Sequence, residues 1–407
     1  MIEKTDSHSS AEAAPPAEDP VAEAVEREGF SLWQRLRSPR TLVSFGLALA
    51  IAIFAVRGLN IDIERTWAYV RGANGWMLLL GLGVFYLTFP MRALRWRLLL
   101  DNAGVPVREG KHSWASFPAL MEYIFLSWFA NCIVPAKLGD AYRGYLLKHN
   151  GKVSFSTTFG TIFAERLLDM IGLFGLLVLS GWITFGAHMP EGTQIVFGFG
   201  ALLVVIILSG LAGMRWLSPF IRRFIPARLR EFYGNFEAAA LVSFRPAILP
   251  RLVLMTGAIW LLEGFRLYFV IVALGQEGLV LSLSAIVFVA LASSLLTALP
   301  ITPAGLGVVE GTITVVLTLF GVNQDLGIAV TLLDRLINFW SIVVFGFILY
   351  LVSKRKGGYV NHAARAMISR CMVHARVCVS ESITPLPPGR VPASDATRAN
   401  WCGRRLR

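Results

Sequence analysis

Two long apolar stretches of this chain, 113–148 and 281–320, are interrupted in the middle by proline and glycine. Apolar segments of that length belong in a bilayer, where an unpaired backbone N–H or C=O costs several kcal/mol. Broken backbone is tolerated there only where protein or a water-filled cavity covers the break. Both stretches are therefore read as re-entrant helical hairpins. Unbroken apolar runs near 41–57, 76–98, 155–186, 194–214, 252–274 and 328–352 are each about long enough to cross. The chain is 55% hydrophobic and 16% charged, against roughly 45–50% and about 25% for soluble domains. The sequence thus predicts an all-α integral membrane protein, a bundle of about six full spans plus two hairpins.

The two broken segments resemble each other. Ile133-Val134-Pro135-Ala136-Lys137-Leu138-Gly139 and Ile301-Thr302-Pro303-Ala304-Gly305-Leu306-Gly307 agree at five of seven positions, at an offset of 168. Glu165-Arg166-Leu167-Leu168-Asp169 pairs with Asp334-Arg335-Leu336-Ile337-Asn338 at an offset of 169. Arg92 and Arg95 pair with Glu263 and Arg266 at an offset of 171. Three landmarks in one order argue for duplication. Residues 41–186 form the expected first repeat and 194–352 the second. Each contains two spans, a hairpin and a third span, and three spans is an odd number. The second repeat is therefore inverted relative to the first, an arrangement many transporters share.

The formal net charge is +12. The bases collect in the loops 92–112 and 215–251 and at Lys354-Arg355-Lys356, while 187–193, 275–280 and 321–327 hold no Lys or Arg. The positive-inside rule makes the basic loops and both termini cytoplasmic, so nucleic acid is not an expected partner. Residues 1–29, acidic and rich in Ala and Pro, read as a disordered tail. Residues 30–40 read as a basic interfacial segment, and 353–407 as a basic, flexible cytoplasmic tail. Cys132, Cys371, Cys378 and Cys402 form no CxxC pair, so no metal site or cofactor is expected.

Ionic residues fall inside the predicted spans. Glu165 and Arg166 lie roughly 15 Å into a helix starting near 155, and Asp334 and Arg335 roughly 10 Å in from the opposite face. Each such charge costs about 2.5–3.5 kcal/mol on translocon scales. These residues line a polar cavity or form a structural salt bridge across the bundle; Glu165 and Arg166 need not pair with each other, and a pair between repeats is equally open. Lys137, Asp140, Arg143 and Glu310 stand near the hairpins. Arginine's planar fork suits phosphate, and helix N-termini after Pro135 and Pro303 would favour an anion. Gly139, Gly305 and Gly307 permit tight turns. Arg92 and Arg95, at the end of a span, are expected to snorkel to lipid phosphates.

Arg92-Ala93-Leu94-Arg95-Trp96, Asn131 to Arg143, Glu165 to Asp169, Leu299 to Glu310 and Asp334-Arg335 resemble the flippase-like transmembrane family. That family occurs at the N-terminus of lysylphosphatidylglycerol synthases and as stand-alone bacterial and archaeal proteins. One family motif, Asn before Pro and then Gly-acid-x-x-Arg, is met by Asn131, Pro135, Gly139, Asp140 and Arg143. A second is met by Pro300, Pro303, Gly305, Gly307 and Glu310. The resemblance implies movement of a lipid between leaflets in a bacterial inner membrane, near envelope-biosynthesis enzymes. An anionic phospholipid or a polyprenyl-phosphate-linked lipid would bind through Arg92, Arg95, Asn131, Lys137, Asp140, Arg143, Glu165, Arg166, Arg266, Glu310, Asp334 and Arg335. The residues after the last span are too few for a synthase domain. No P-loop, GxSxG or HExxH motif is present, and the expectation is that the chain is not an enzyme. The alternatives are an envelope-assembly scaffold, or an accessory subunit or enzyme of lipid-linked head-group transfer.

Overall fold

A computed structural model describes residues 62–107, 114–133, 138–186, 191–276, 281–296, 305 and 307–356. The first predicted span, both tails beyond these limits and the hairpin tips, with Pro135, Lys137, Pro300 and Pro303, lie outside the described residues. Among those described the structure is helical. Helix α1 covers Ile63–Gly72, α2 Gly75–Asn102, α3 Phe117–Ile133, α4 Leu138–Gly151, α5 Phe155–Phe185 and α6 Glu191–Phe224. Helix α7 covers Ala227–Val242, α8 Leu249–Leu274, α9 Leu283–Leu296, α10 Val308–Leu319, α11 Gln324–Arg335 and α12 Ser341–Val352. A π-helical turn, Leu336–Trp340, joins α11 to α12.

Sequence chemistry sets the boundaries. The Asn74 side chain accepts from the N–H groups of Trp76 and Met77 and starts α2. Ser154 and Asn323 cap α5 and α11 in the same way. Gly275, with φ 58°, ends α8 in the left-handed conformation that glycine adopts without a Cβ clash. Pro90 sits inside α2, which membrane helices tolerate because neighbours satisfy the freed carbonyl.

Among the described residues, five helices are long and apolar enough to cross a membrane: α2, α5, the central part of α6, α8 and the run Gln324–Val352. By contrast α3, α4, α9 and α10 have 17, 14, 14 and 12 residues. At 1.5 Å per residue they reach only about 18–26 Å, less than the roughly 30 Å hydrocarbon core. Helix α3 packs on α4, and α9 on α10, so each broken stretch is a hairpin of two short arms. Helices α1 and α7 fall in predicted loops. Both are short and carry charged residues, and lack the apolar run that marks a span.

The halves are antiparallel. Helices α2 and α8 pack along their length; Asn74 N–H at the start of α2 donates to Ala273 O at the end of α8, at 2.7 Å. Leu99 and Leu252 share a cluster at the other end. The second arm of each hairpin packs on the third span of its own repeat, α4 on α5 and α10 on α11. The first arm packs on the third span of the other repeat, α3 on α12 and α9 on α5.

The hairpins open to opposite faces. At the mouth of the first, Glu122 accepts from Ser353 Oγ and Arg355 Nη1, each at 2.5 Å. Tyr142 Oη donates to Lys356 O at 2.6 Å, and Asn150 Nδ2 to Arg355 O at 3.0 Å. The exit of the last span is thus tied to both arms by polar bonds. The second hairpin is held to the exit of α5 by aromatic rings, Phe185 against Phe288 and Phe320 with centroids 5.3 Å from each.

Candidate functional site: an ionic seam between the repeats

The charged residues of the spans converge. Arg95 is fully buried. Its Nη1 donates to Asp169 Oδ1 at 2.6 Å and Thr256 Oγ1 at 2.7 Å, and its Nη2 to Glu165 Oε1 at 3.1 Å. The other carboxylate oxygen of Glu165 lies 3.1 Å from Arg143 Nη2, whose guanidinium stacks 4.6 Å over Trp96. In the second repeat Arg266 Nη1 pairs with Asp334, and its Nε donates to Glu263 at 3.2 Å. The Arg95–Glu165 and Arg266–Asp334 pairs occupy equivalent positions of the two repeats.

A second equivalent pair lies at the hairpins. Arg166 meets Asp140 fork to fork, Nε to Oδ2 and Nη2 to Oδ1, both at 2.7 Å. Arg335 Nε donates to Glu310 Oε1 at 2.7 Å, and its Nη2 to Gly305 O at 3.2 Å. Glu310 also accepts from Gly307 N–H at 2.6 Å, and Asn131 Oδ1 accepts from Gly139 N–H at 2.8 Å. Each hairpin therefore presents a carboxylate to a mid-span arginine. Helix α11 begins at Gln324, four residues before the predicted start. Arg335 is thus roughly 16 Å along its helix rather than 10 Å, the same distance from the helix start as Arg166 in α5.

Arg92 joins the repeats. Its Nη2 donates to Glu263 at 3.1 Å, and its guanidinium lies 4.6 Å over Trp128. Arg92 and Glu263 are equivalent positions of the duplication, so their contact marks the pseudo-two-fold axis between α2 and α8. The expectation of snorkelling is corrected here: Arg92 and Arg95 are 2% and 0% exposed. Helix α2 runs seven residues past Arg95, and α5 and α8 cover it with acids. The inter-repeat pair is Arg92–Glu263, while Glu165 pairs within its own repeat.

The seam divides by exposure. The pairs around Arg95, Arg92 and Arg266 are buried. The side chains of Arg166 and Glu310 are 31% and 30% exposed, and those of Asp140 and Arg335 13% and 9%. Among the described residues, the arginines 92, 95, 143, 166, 266 and 335 are balanced by as many carboxylates, Asp140, Glu165, Asp169, Glu263, Glu310 and Asp334. Asp169 and Glu263 were absent from the expected site set. Both stand in the repeated motifs, which was the signal available.

Fold and seam together define a multi-pass helical membrane protein of inverted-repeat design with ionic groups held at its centre. The chain belongs to the family of the lysylphosphatidylglycerol synthase transmembrane region, whose profile matches residues 42–346. It is 36% identical to the UPF0104 membrane protein MJ1078 of Methanocaldococcus jannaschii, over 56% of this chain and 95% of that protein. It is 25% identical to the UPF0104 membrane protein PH1989 of Pyrococcus horikoshii, over 77% and 97%. It is also 24% identical to glycosyltransferase AglD of Haloferax volcanii, over 75% of this chain and 54% of AglD. That relative's name corrects the expectation that the chain is not an enzyme. These three relatives are archaeal, whereas the sequence reading placed the chain in a bacterial membrane. No solved structure matches.

Proposed function

We propose that the protein moves an anionic phospholipid or polyprenyl-phosphate-linked lipid between leaflets, with both termini cytoplasmic and envelope-biosynthesis enzymes as neighbours. The observation that carries this reading is the two partly open arginine–carboxylate pairs, the Arg166–Asp140 fork and the single-bonded Arg335–Glu310 pair. A phosphate takes the same two parallel hydrogen bonds from a guanidinium that a carboxylate does. The head group exchanges with the hairpin carboxylate on one arginine while its tails stay in lipid. Inverted hairpins opening to opposite faces support alternating access. A second reading, favoured by the name of AglD, is that the membrane body takes part in lipid-linked glycosyl transfer.

The test is leaflet exchange of fluorescent phosphatidylglycerol and of a polyprenyl phosphate in reconstituted vesicles. The expected result is exchange well above that of empty vesicles, with Arg166→Ala and Arg335→Ala each at least about tenfold slower. That factor corresponds to losing about 1.4 kcal/mol, within the range of one charge-assisted hydrogen bond. Wild-type rates equal to empty vesicles, or variants as fast as wild type, would overturn the proposal.

A further inference from the structure

We infer that the end of α6, residues 215–224, is a docking surface for anionic phospholipid, with phosphates at Arg215 and Arg223 and acyl chains against Trp216, Phe220 and Phe224. This surface lies apart from the seam and does not depend on the transport reading.

Of the five spans, α6 is the least covered by protein. Of its most apolar stretch 6% is buried, against 28–56% for the other four. Its 34 residues reach about 51 Å, more than the roughly 40–45 Å of a bilayer with its head groups. The helix therefore runs through a head-group layer. Three residues precede the apolar part, Gln194–Ser218, and six follow it, so the excess falls at the C-terminal end.

Helical spacing gives that end two faces. Ser218 and Arg222, four residues apart, turn toward α7, and both donate to Glu237 Oε2, at 2.8 and 3.0 Å. Helix α7 is itself set on α5, where the Phe236 ring lies 5.3 Å from that of Phe163. Trp216, Phe220 and Phe224 also recur every fourth residue, and 3.6 residues per turn place them on the side away from α7. They are 80%, 60% and 71% exposed. Arg223 shares their side of the helix, and Arg215 directly precedes Trp216. Both arginines are exposed, and neither has an ion-pair partner among the described residues. Exposed rings at head-group depth favour a membrane interface. The charge selects an anionic one: in 215–251 Arg215, Arg223, Arg230, Arg245 and Arg251 are exposed, against the one exposed acid Glu231. A second copy of the chain docked symmetrically here would set these bases against themselves. Lipid phosphate instead accepts two hydrogen bonds from each guanidinium.

The test follows hydrogen exchange of the full chain in nanodiscs of phosphatidylcholine alone, or of phosphatidylcholine and phosphatidylglycerol in equal parts. The expected result is exchange across 215–230 slowed about fivefold per arginine engaged when phosphatidylglycerol is present. The slowing disappears in about 1 M salt, where screening acts within about 3 Å. Arg215→Gln combined with Arg223→Gln abolishes it, while lysine at both positions keeps it. Arg166→Ala also keeps it, which separates this surface from the seam. The glutamine pair leaves the Arg222–Glu237 bond in place, so its thermal unfolding in phosphatidylcholine matches wild type. Equal exchange in the two nanodiscs, or slowing that survives the glutamine pair, overturns the inference. Protection in both lipids that accompanies a dimer assigns the face to a second copy and overturns it as well.

Discussion

Replacing Arg95 by methionine will destabilise the protein by about 3–5 kcal/mol, the cost of leaving a buried charge partner uncompensated. Arg95 is fully buried and bridges Glu165 and Asp169. Methionine replaces its apolar stem but supplies no donor. Among the described residues Glu165 then keeps the ion pair with Arg143, and Asp169 the 3.4 Å contact with Arg166. Thermal unfolding in detergent measures the loss. Arg92→Met should cost less, because Glu263 keeps Arg266. Adding Asp169→Asn to Arg95→Met should recover part of the loss, since one orphaned acid is removed and Arg166 keeps Asp140. Equal melting of Arg95→Met and wild type would show that the seam is not a structural requirement.

Gly139→Ala is the second large effect. A Cβ built there falls 2.1 Å from Ser127 O and 2.6 Å from Asn131 Oδ1. The first obstacle is backbone of the facing arm α3, which cannot rotate away. The arms must separate, and the Asn131–Gly139 hydrogen bond goes with them. Overpacking of this kind costs about 1–3 kcal/mol and occasionally more. The next residue is Asp140, so the shift also pulls the carboxylate off Arg166. Lower thermal stability and slower lipid exchange should appear together. Gly83→Ala provides the contrast: nothing lies within 4 Å of its Cβ, and alanine in a helix interior gains up to about 1 kcal/mol over glycine. A Gly139→Ala protein as stable as Gly83→Ala would exclude the close approach of the two arms.

Length and hydropathy made the spans legible, because twenty apolar residues have few other uses. The breaks near Pro135 and Pro303 made the hairpins legible, because broken backbone needs cover in lipid. The repeat was visible because its charged landmarks recur at nearly one spacing. The pairing of those charges was not. A side chain's partner depends on which helices touch, and Arg95 finds Glu165, Asp169 and Thr256 on two other helices. The position of Arg92 and Arg95 near the end of an apolar run suggested lipid contact; the run proved to continue as helix to Asn102. Helix α7 escaped notice because Ala227–Val242 mixes charges with apolar residues and forms no run. The π-turn after Arg335 left no mark in composition at all.

The contact of Arg92 with Glu263 has a consequence for assembly. On an axis of approximate symmetry each residue meets its own counterpart, and here the counterparts carry opposite charge. Two copies of the first half docked in this way would oppose arginine to arginine, and two copies of the second would oppose glutamate to glutamate, with no solvent to screen either. Neither half can close as a homodimer about this axis; each needs the other, and co-expressed fragments should recover each other rather than themselves.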